Sequence, residues 1–398
     1  MRQRLVPGLT VAAVVVAAAL IAMGTGLGAD YANPSWIGND AASPSIEALM
    51  RLDLHGFVAE QPMMGSFSLV LRAPFAALSS LGGHHKLLLE YRFGAFVCVL
   101  ALGALALVAL RLADARRPAS QQLLIAGLVM AGPLTFKALF WGHPEELLAA
   151  ALAVGGVIAA PRRPLLAGAL IGLAIATKQW AWLALVPALA TTPQRRLKMV
   201  AVAGAVALVW ALPMALGDLH RFVDQTRAAG HTGAGVTPSS VWWPLNHMVS
   251  TSPVDGHMVR TYTVDAWVAH VAEPLVLGVC LALSAAYWRI RRERPAVDAI
   301  ALLALLLLVR CMLDPLAISY HNAPFAIALA VWETLRRRGL PYVTLAANGG
   351  ILLTSQLALQ PDVLNAVYLA WAVPVAVYLG LVTLGPRGPR AALAPVAA

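Results

Sequence analysis

Residues 141–190 read WGHPEELLAAALAVGGVIAAPRRPLLAGALIGLAIATKQWAWLALVPALA. Two apolar runs in this stretch are joined by a basic turn that contains Arg162, and a polar break follows at Lys178-Gln179. Apolar runs separated by short polar turns are typical of a chain that crosses a membrane repeatedly. A single helix after the basic turn would put Arg162 and Arg195 on opposite sides of the membrane, so we predict two short spans that meet at Lys178-Gln179.

The composition of the whole chain agrees with a membrane protein. Of its 398 residues, 60% are hydrophobic and 12% are charged, whereas soluble domains average about 45–50% apolar and about 25% charged residues. These values exclude a soluble enzyme, a disordered tail and a small disulfide-rich scaffold. Cys98, Cys280 and Cys311 lie within or at the edge of apolar runs without metal-ligand spacing, so neither a disulfide framework nor a zinc site is expected.

The predicted fold is all-α: a polytopic bundle of about 12 transmembrane helices, within a range of about 10–14, that forms one integral membrane domain over residues 1–398. The predicted spans lie near 5–27, 92–112, 120–140, 146–161, 165–177, 179–192, 199–216, 266–288, 297–313, 322–335, 341–358 and 363–384.

Basic residues predict the orientation of these spans. If the N-terminus is cytoplasmic and the spans alternate, 19 of the 29 lysines and arginines fall in short loops on one side, which is therefore the cytoplasmic side of the plasma membrane. Both termini are expected there. The two long loops, 28–91 and 217–265, then face outward, so we expect the active site on the extracytoplasmic face.

The first of these loops carries predicted interfacial helices. Ser43 as an N-cap and Pro44 at the first helical position precede apolar residues at helical spacing, a pattern that predicts an amphipathic helix at the membrane surface. A second interfacial or re-entrant piece is predicted at 66–81, where Arg72 and Pro74 interrupt an apolar run.

Charged residues at membrane depth are costly and therefore candidates for function. Lys137, Lys178, Arg310 and Asp314 all lie near the predicted outer ends of spans. Each could instead extend its charged end toward the lipid headgroups. Their convergence on one face, together with nearby histidines, favours a site for an anionic lipid headgroup, because lysine and arginine suit phosphate.

The segment 141–190 resembles multi-pass glycosyltransferases of the GT-C superfamily that use polyprenyl-phosphate sugars, and in particular glycosyltransferase family 87, a mannosyltransferase-like group common in actinobacteria. The resemblance rests on polar residues before a span, a basic turn, the pattern AGxLxGLAxxxK and an aromatic-rich span. The Gly38-Asn39-Asp40 turn and a late outer turn from Asp314 to His321 agree with it. The chain departs from the family where it has His143, since family members often carry glutamine after the glycine.

The resemblance implies that a first-loop carboxylate acts as general base on an acceptor hydroxyl, which displaces the lipid phosphate from the sugar with inversion. Asp40 is the expected base, because it follows the first span and precedes the interfacial helix; a positioned base contributes typically about 10²–10⁴-fold. Asp40 could also be a solvated loop acid. Asp30, Glu47 and Asp53 are weaker candidates, since the last two could form the polar face of the helix.

Further residues are expected to bind substrate. Lys178 and His321 are the first candidates for phosphate contacts and Arg310 is the third, with an interfacial anchor as the alternative for each. Acids at a helix N-terminus and tryptophans at a membrane boundary also have structural explanations. The other candidates are His143, Glu146, Trp243 and His247.

The expected partners are a polyprenyl-phosphate-sugar donor, a lipid or glycan acceptor, and the bilayer. No cofactor is expected; outer carboxylates could hold a divalent ion, but none shows diagnostic spacing. No feature indicates nucleic-acid binding or a P-loop. Two alternatives stay open: a transporter or flippase of a lipid-linked sugar, and a non-catalytic membrane subunit.

Overall fold

A computed structural model describes residues 7–24, 43–61, 65–81, 86–113, 117–230, 235–254, 257–291, 295–357 and 359–385. The described chain is helical apart from one hairpin. Its α-helices are α1 (Pro7–Gly24), α2 (Ser43–Met50), α3 (Leu54–Glu60), α4 (Ser66–Ala76), α5 (Lys86–Leu112), α6 (Ala119–Met130), α7 (Pro133–Phe140), α8 (Pro144–Ala159), α9 (Pro164–Ile175), α10 (Leu185–Thr191), α11 (Arg196–Gly217), α12 (Leu219–Gly230), α13 (Ala266–Ile290), α14 (Ala296–Leu313), α15 (Ala323–Arg336), α16 (Tyr342–Gln356) and α17 (Pro361–Leu384). Short 3₁₀ helices lie at Ala77–Leu81, Gln179–Ala184, Trp243–Leu245 and Ser319–Asn322.

The described chain confirms the all-α prediction, with one hairpin in addition. Strands β1 (His247–Val254) and β2 (His257–Thr263) pair antiparallel within the second long loop. Both strands contain β-branched residues, which favour extended backbone. The sequence prediction rested on apolar runs long enough to span a membrane, and this polar segment is not one of them.

Six described segments are long and apolar enough to cross a membrane: Leu88–Leu112, Ala119–Phe140, Arg196–Gly217, Ala266–Ile290, Ala296–Leu313 and Pro361–Leu384. The predicted count of about twelve spans is not confirmed. Helices do lie at the other predicted positions, but they are shorter: α8 has 16 residues and α15 has 14. At 1.5 Å per residue, 14 residues reach about 21 Å, less than the roughly 30 Å hydrocarbon core.

Helices α8, α14 and α15 form the centre of the bundle. In α15, every residue from Ala323 to Thr334 is buried, and most of α8 and α14 is buried as well. A helix that is apolar on all sides is either enclosed by other elements or faces lipid, and the burial of these three shows that they are enclosed. The longer α11, α13 and α17 have more exposed apolar surface.

The glycines of the AGxLxGLA pattern bring α9 against α11. A Cβ at Gly168 would lie 2.4 Å from the carbonyl oxygen of Met199, and one at Gly172 would lie 2.6 Å from that of Ala203. Small residues four apart form a smooth face that allows two helix backbones to approach closely in membranes. The pattern therefore positions α9, and with it Lys178, next to α11.

The predicted break at Lys178-Gln179 is confirmed. Helix α9 ends at Ile175 and a 3₁₀ helix begins at Gln179. At this junction the carbonyl of Thr177 accepts a 3.2 Å hydrogen bond from the amide of Gly65, just before α4. The break is thus a packed junction between two distant segments of the chain.

Residues 43–60 of the first long loop form two helices where the sequence predicted one. Helix α2 begins at Ser43 as expected, but the chain turns at Leu52, whose φ is 57°, and α3 starts anew. The Asp53 side chain accepts a 2.8 Å hydrogen bond from the amide of Gly56 and caps α3. Apolar residues of both helices, such as Ile46 and Phe57, pack against α4 and α11.

Candidate functional site

A cavity of about 710 Å³ lies where α4, α9, α11, α13 and α14 approach one another. One part of its wall is apolar and comes mainly from α11 and α13. The other part is charged. The ionisable residues that line it are Glu146, Lys178, Glu273, Arg310, Asp314 and His321.

The structure brings together four of the residues that the sequence singled out: Lys178, His321, Arg310 and Glu146 all line this cavity. They come from four separate segments of the chain. Lys178 follows α9, Glu146 lies in the first turn of α8, Arg310 lies in the last turn of α14, and His321 lies just before α15.

Lys178 is paired with two neighbouring carboxylates. Its Nζ lies 3.1 Å from Oε1 of Glu145 and 3.4 Å from Oε1 of Glu146. Both glutamates are almost completely buried, whereas 21% of the lysine side chain is exposed. Although burial opposes the charged ammonium, the two carboxylates dominate and raise the pKa of Lys178 to about 12. The lysine is therefore positively charged at neutral pH.

The start of α8 explains why two acids occur side by side here. Pro144 occupies the first helical turn, and Glu145 and Glu146 follow it near the positive end of the helix dipole. Successive helical residues point about 100° apart. Glu146 lines the cavity and accepts a 2.8 Å hydrogen bond from the indole Nε1 of Trp180, whereas Glu145 does not line the cavity.

Behind the wall, Glu145 and His143 form a buried group. His143 Nδ1 donates a 2.9 Å hydrogen bond to Oε1 of Glu145, and its ring stacks on Tyr320 with centroids 4.5 Å apart. Tyr320 in turn packs edge-on against His321, at 4.6 Å. His143 thus supports the site from behind and is not among the residues that line the cavity.

Arg310 and His321 bring polar atoms without partners to the cavity. The guanidinium of Arg310 lies 5.9 Å from the ring centroid of Trp180. Within the described chain, neither Arg310 Nη1 nor His321 Nδ1 has a hydrogen-bond partner. Buried polar atoms in native proteins are nearly always paired, so such orphans indicate a missing ligand or ordered water.

The imidazole of His321 is neutral in this setting. Burial disfavours its charged form, and the nearby cations Arg310 and Lys178 add to this effect, so the pKa of His321 lies well below its ordinary value. A neutral imidazole can donate one hydrogen bond and accept another. His321 therefore contributes a hydrogen bond to an anion rather than a further positive charge.

Two more carboxylates belong to the cavity. Asp314, at the end of α14, accepts a 3.0 Å hydrogen bond from the amide of Leu316. Glu273 lies on α13, inside a candidate span, and forms no hydrogen bond or ion pair with any described residue. The sequence analysis missed Glu273, although a lone acid within an apolar run is a recognisable signal.

The remaining predicted site residues lie elsewhere. Trp243 is buried, donates a 2.8 Å hydrogen bond from Nε1 to Asp362 and packs edge-on against Tyr262. His247 lies 3.3 Å from Asp265 on the surface. Neither residue lines the cavity, and their roles in substrate binding stay predictions. Lys137, also noted at membrane depth, has its Nζ 6.0 Å from the ring centroid of Phe140.

The first-loop acids are only partly described. Asp40, the expected base, and Asp30 lie outside the described residues. Glu47 forms an exposed ion pair with Arg51 at 3.4 Å, and Asp53 is the cap of α3. Within the described ranges, no group of three or more histidine, cysteine or acidic side chains is arranged to hold a metal ion.

Comparison with known proteins gives one match. The profile of glycosyltransferase family 87 matches residues 65–315, a segment that begins at the junction of α4 with α9 and contains every ionisable residue of the cavity wall except His321. No curated protein and no solved structure matches the chain.

Proposed function

The chain belongs to glycosyltransferase family 87, which makes it a membrane glycosyltransferase, and from this premise we propose its donor and reaction. The donor is a polyprenyl-phosphate-linked sugar, with mannose as the first candidate. The acceptor is a lipid or glycan hydroxyl, and transfer takes place on the extracytoplasmic face of the plasma membrane. The fold proposed for it is that of the GT-C superfamily.

One observation carries this proposal: the cavity wall combines Arg310, His321 and Lys178, and two of these side chains have polar atoms without a partner among the described residues. A phosphodiester is an anion with several acceptor oxygens, which suits Arg310 Nη1 and a neutral imidazole. The charge of Lys178 is already balanced by two carboxylates. We therefore assign the strongest phosphate contact to Arg310.

The apolar part of the cavity suits a prenyl chain. Leu208 of α11 and Leu277 of α13 both line the cavity, and the side chains of both are exposed. Both helices are candidate membrane spans. A lipid tail could therefore stay in the bilayer between α11 and α13 while its phosphate reaches Arg310.

The proposed reaction is a single displacement. A carboxylate, proposed to be Asp40, accepts the proton of the acceptor hydroxyl, and the hydroxyl oxygen attacks the anomeric carbon of the sugar. The bond from that carbon to the phosphate oxygen breaks, and its electron pair leaves with the lipid phosphate, which the cations stabilise. Attack opposite the leaving group inverts the anomeric configuration.

Sugar transfer in membranes tests the proposal. Membranes that contain the protein are supplied with radiolabelled polyprenyl-phosphate-mannose and host lipid extract, beside an Arg310→Met variant of equal abundance. Arg289→Met is the matched control, because Arg289 is an exposed arginine at the far end of α13. We expect labelled product from the unsubstituted protein and from Arg289→Met, and at least a tenfold loss in Arg310→Met.

Two results would contradict the proposal. Equal product from all three proteins would mean that Arg310 does not bind the phosphate. No product from any of them, with intact donor and several acceptors tried, would favour the transporter alternative, and movement of the donor across the bilayer would then be measured.

A further inference from the structure

The two carboxylates that contact Lys178 differ in their surroundings. Glu146 lines the cavity and accepts a hydrogen bond from Trp180. Glu145 is fully buried and does not line the cavity. Its Oε1 is nevertheless the closer of the two to Lys178 Nζ, at 3.1 Å compared with 3.4 Å. The lysine is thus held from behind the cavity wall as well as from within it.

Glu145 is itself held by groups from separate parts of the chain. His143 donates to it at 2.9 Å, and Nη1 of Arg72, from α4, lies 3.9 Å from its Oε2. A buried carboxylate is stable only when it is paired, so these contacts and Lys178 together keep it charged and in place. Glu145 consequently joins α4, α8 and the end of α9 at one point.

Lys178 needs such a fixed partner. Its ammonium is a point charge on a flexible four-carbon stem, and ordering that stem costs conformational entropy. Arg310 has a planar guanidinium near the ring of Trp180. Among the described residues, Lys178 forms no such cation–π contact with an aromatic ring. The direction of the lysine side chain is therefore set by its carboxylates.

We propose that Glu145 is a positioning residue, which holds the Lys178 ammonium at the cavity wall beside the substrate phosphate without touching substrate itself. The placement of the phosphate rests on the proposed function. The contact between Glu145 and Lys178 can be tested without any substrate, so the two proposals can fail separately.

Amine labelling of Lys178 provides the substrate-independent test. The chain has four lysines, Lys86, Lys137, Lys178 and Lys198, so acetylation of each can be followed by mass spectrometry in the full-length protein in detergent. Only the neutral amine reacts, and Glu145 helps to keep Lys178 protonated. A change of one unit in the lysine pKa alters the neutral fraction tenfold.

We expect acetic anhydride to label Lys178 at least tenfold faster at pH 8.5 in Glu145→Gln than in the unsubstituted protein. Lys137, which is not in contact with Glu145, is the internal control and should react at the same rate in both. Glu47→Gln is the matched control variant, because Glu47 forms only an exposed ion pair with Arg51. It should leave the labelling of Lys178 unchanged.

Transfer kinetics supply the second measurement. A positioning role predicts that Glu145→Gln raises KM for the polyprenyl-phosphate donor at least fivefold, with a smaller change in kcat. A purely structural role would reduce the amount of folded enzyme, so kcat would fall while KM stayed constant.

Unchanged labelling of Lys178 in a folded Glu145→Gln protein would overturn the inference, as would a fall in kcat alone. If Glu145→Gln does not fold, Glu145→Asp takes its place, since it keeps the charge on a shorter stem; labelling of Lys178 should then rise, by less than tenfold, and no rise would overturn the inference. If the unsubstituted protein uses no lipid-phosphate donor but Lys178 labelling still responds to Glu145→Gln, the positioning role stands and the proposed donor is wrong.

Discussion

The backbone amide of Gly65 donates a 3.2 Å hydrogen bond to the carbonyl of Thr177. The amide of Phe67 likewise donates to the carbonyl of Ala176, at 3.4 Å. Helix ends leave amide and carbonyl groups without partners inside the helix, and here the start of α4 satisfies the end of α9. Lys178 follows directly, so this junction fixes the backbone from which the cavity lysine extends.

We predict that Gly65→Ala disrupts the junction. A Cβ at Gly65 would lie 1.9 Å from the carbonyl oxygen of Ala176, so the two backbones must separate. Overpacking of this kind costs about 1–3 kcal/mol. Thermal unfolding in detergent should show a lower Tm, and sugar transfer should fall at least tenfold.

Gly127→Ala is the control for this change. Gly127 lies within α6, and no atom lies within 4 Å of the position of a Cβ there. Alanine in a helix interior is favoured over glycine by about 0.5–1 kcal/mol, so the Tm should stay the same or rise. Wild-type transfer by a folded Gly65→Ala protein would show that the junction does not position Lys178.

The sequence predicted the break before Gln179 for a sound physical reason. Arg162 and Arg195 are expected on the same side of the membrane, and a single helix between them would place them on opposite sides. The docking of Gly65 at the break could not be predicted, because it joins residues more than 100 positions apart and leaves no periodic signal. The contact between Arg72 and Glu145 is also long-range in sequence and leaves no periodic signal.

Like the fold, the candidate site was predicted from the sequence only in part. Charges at membrane depth are costly, and that argument alone led to Lys178 and Arg310, which line one cavity. Aromatic residues are less informative, because rings that stack on sugars also anchor helices; Trp243 is buried, donates to Asp362 and does not line the cavity. Glu273 was missed because acids contribute little to topology, and its span was counted only as apolar.

Asp40→Asn tests the proposed base. Asparagine is close in size to aspartate but cannot accept the proton of the acceptor hydroxyl, so transfer should fall by about 10²–10⁴-fold. The assay is transfer of radiolabelled mannose at equal protein abundance, with the Tm as a check on folding. Glu47→Gln should transfer at the wild-type rate, because Glu47 is paired on the surface. Full activity of Asp40→Asn would move the base to another carboxylate, with Asp30 and Glu273 tested next.

The buried, neutral imidazole of His321 should make the stability of the protein depend on pH. Burial, with Arg310 and Lys178 nearby, holds the pKa of His321 well below 6.5 in the folded protein, whereas an unfolded histidine titrates near 6.5. Below that pH the unfolded chain therefore binds a proton that the folded protein does not, and stability falls as the pH is lowered. The contribution of one such group is at most about 1.4 kcal/mol per pH unit.

The measurement is the difference in Tm between pH 7.5 and pH 5.0. His321→Gln should show a smaller difference than the unsubstituted protein, because the group that resists protonation is gone. His220→Gln is the control, since His220 is exposed, and it should behave like the unsubstituted protein. An equal or larger difference in His321→Gln would contradict a neutral, buried His321.

We predict that substitution of Glu273 lowers activity without lowering stability. A charge at membrane depth is unfavourable, and no described residue pairs with Glu273, so Glu273→Gln should keep or raise the Tm. If the carboxylate accepts hydrogen bonds from sugar hydroxyls in the cavity, its loss removes about 1.5–3 kcal/mol of binding. We therefore expect kcat/KM for the polyprenyl-phosphate sugar to fall about 10–100-fold.

Glu60→Gln, at the exposed end of α3, should change neither the Tm nor kcat/KM. A lower Tm with unchanged kcat/KM in Glu273→Gln would instead assign this carboxylate a structural role in α13.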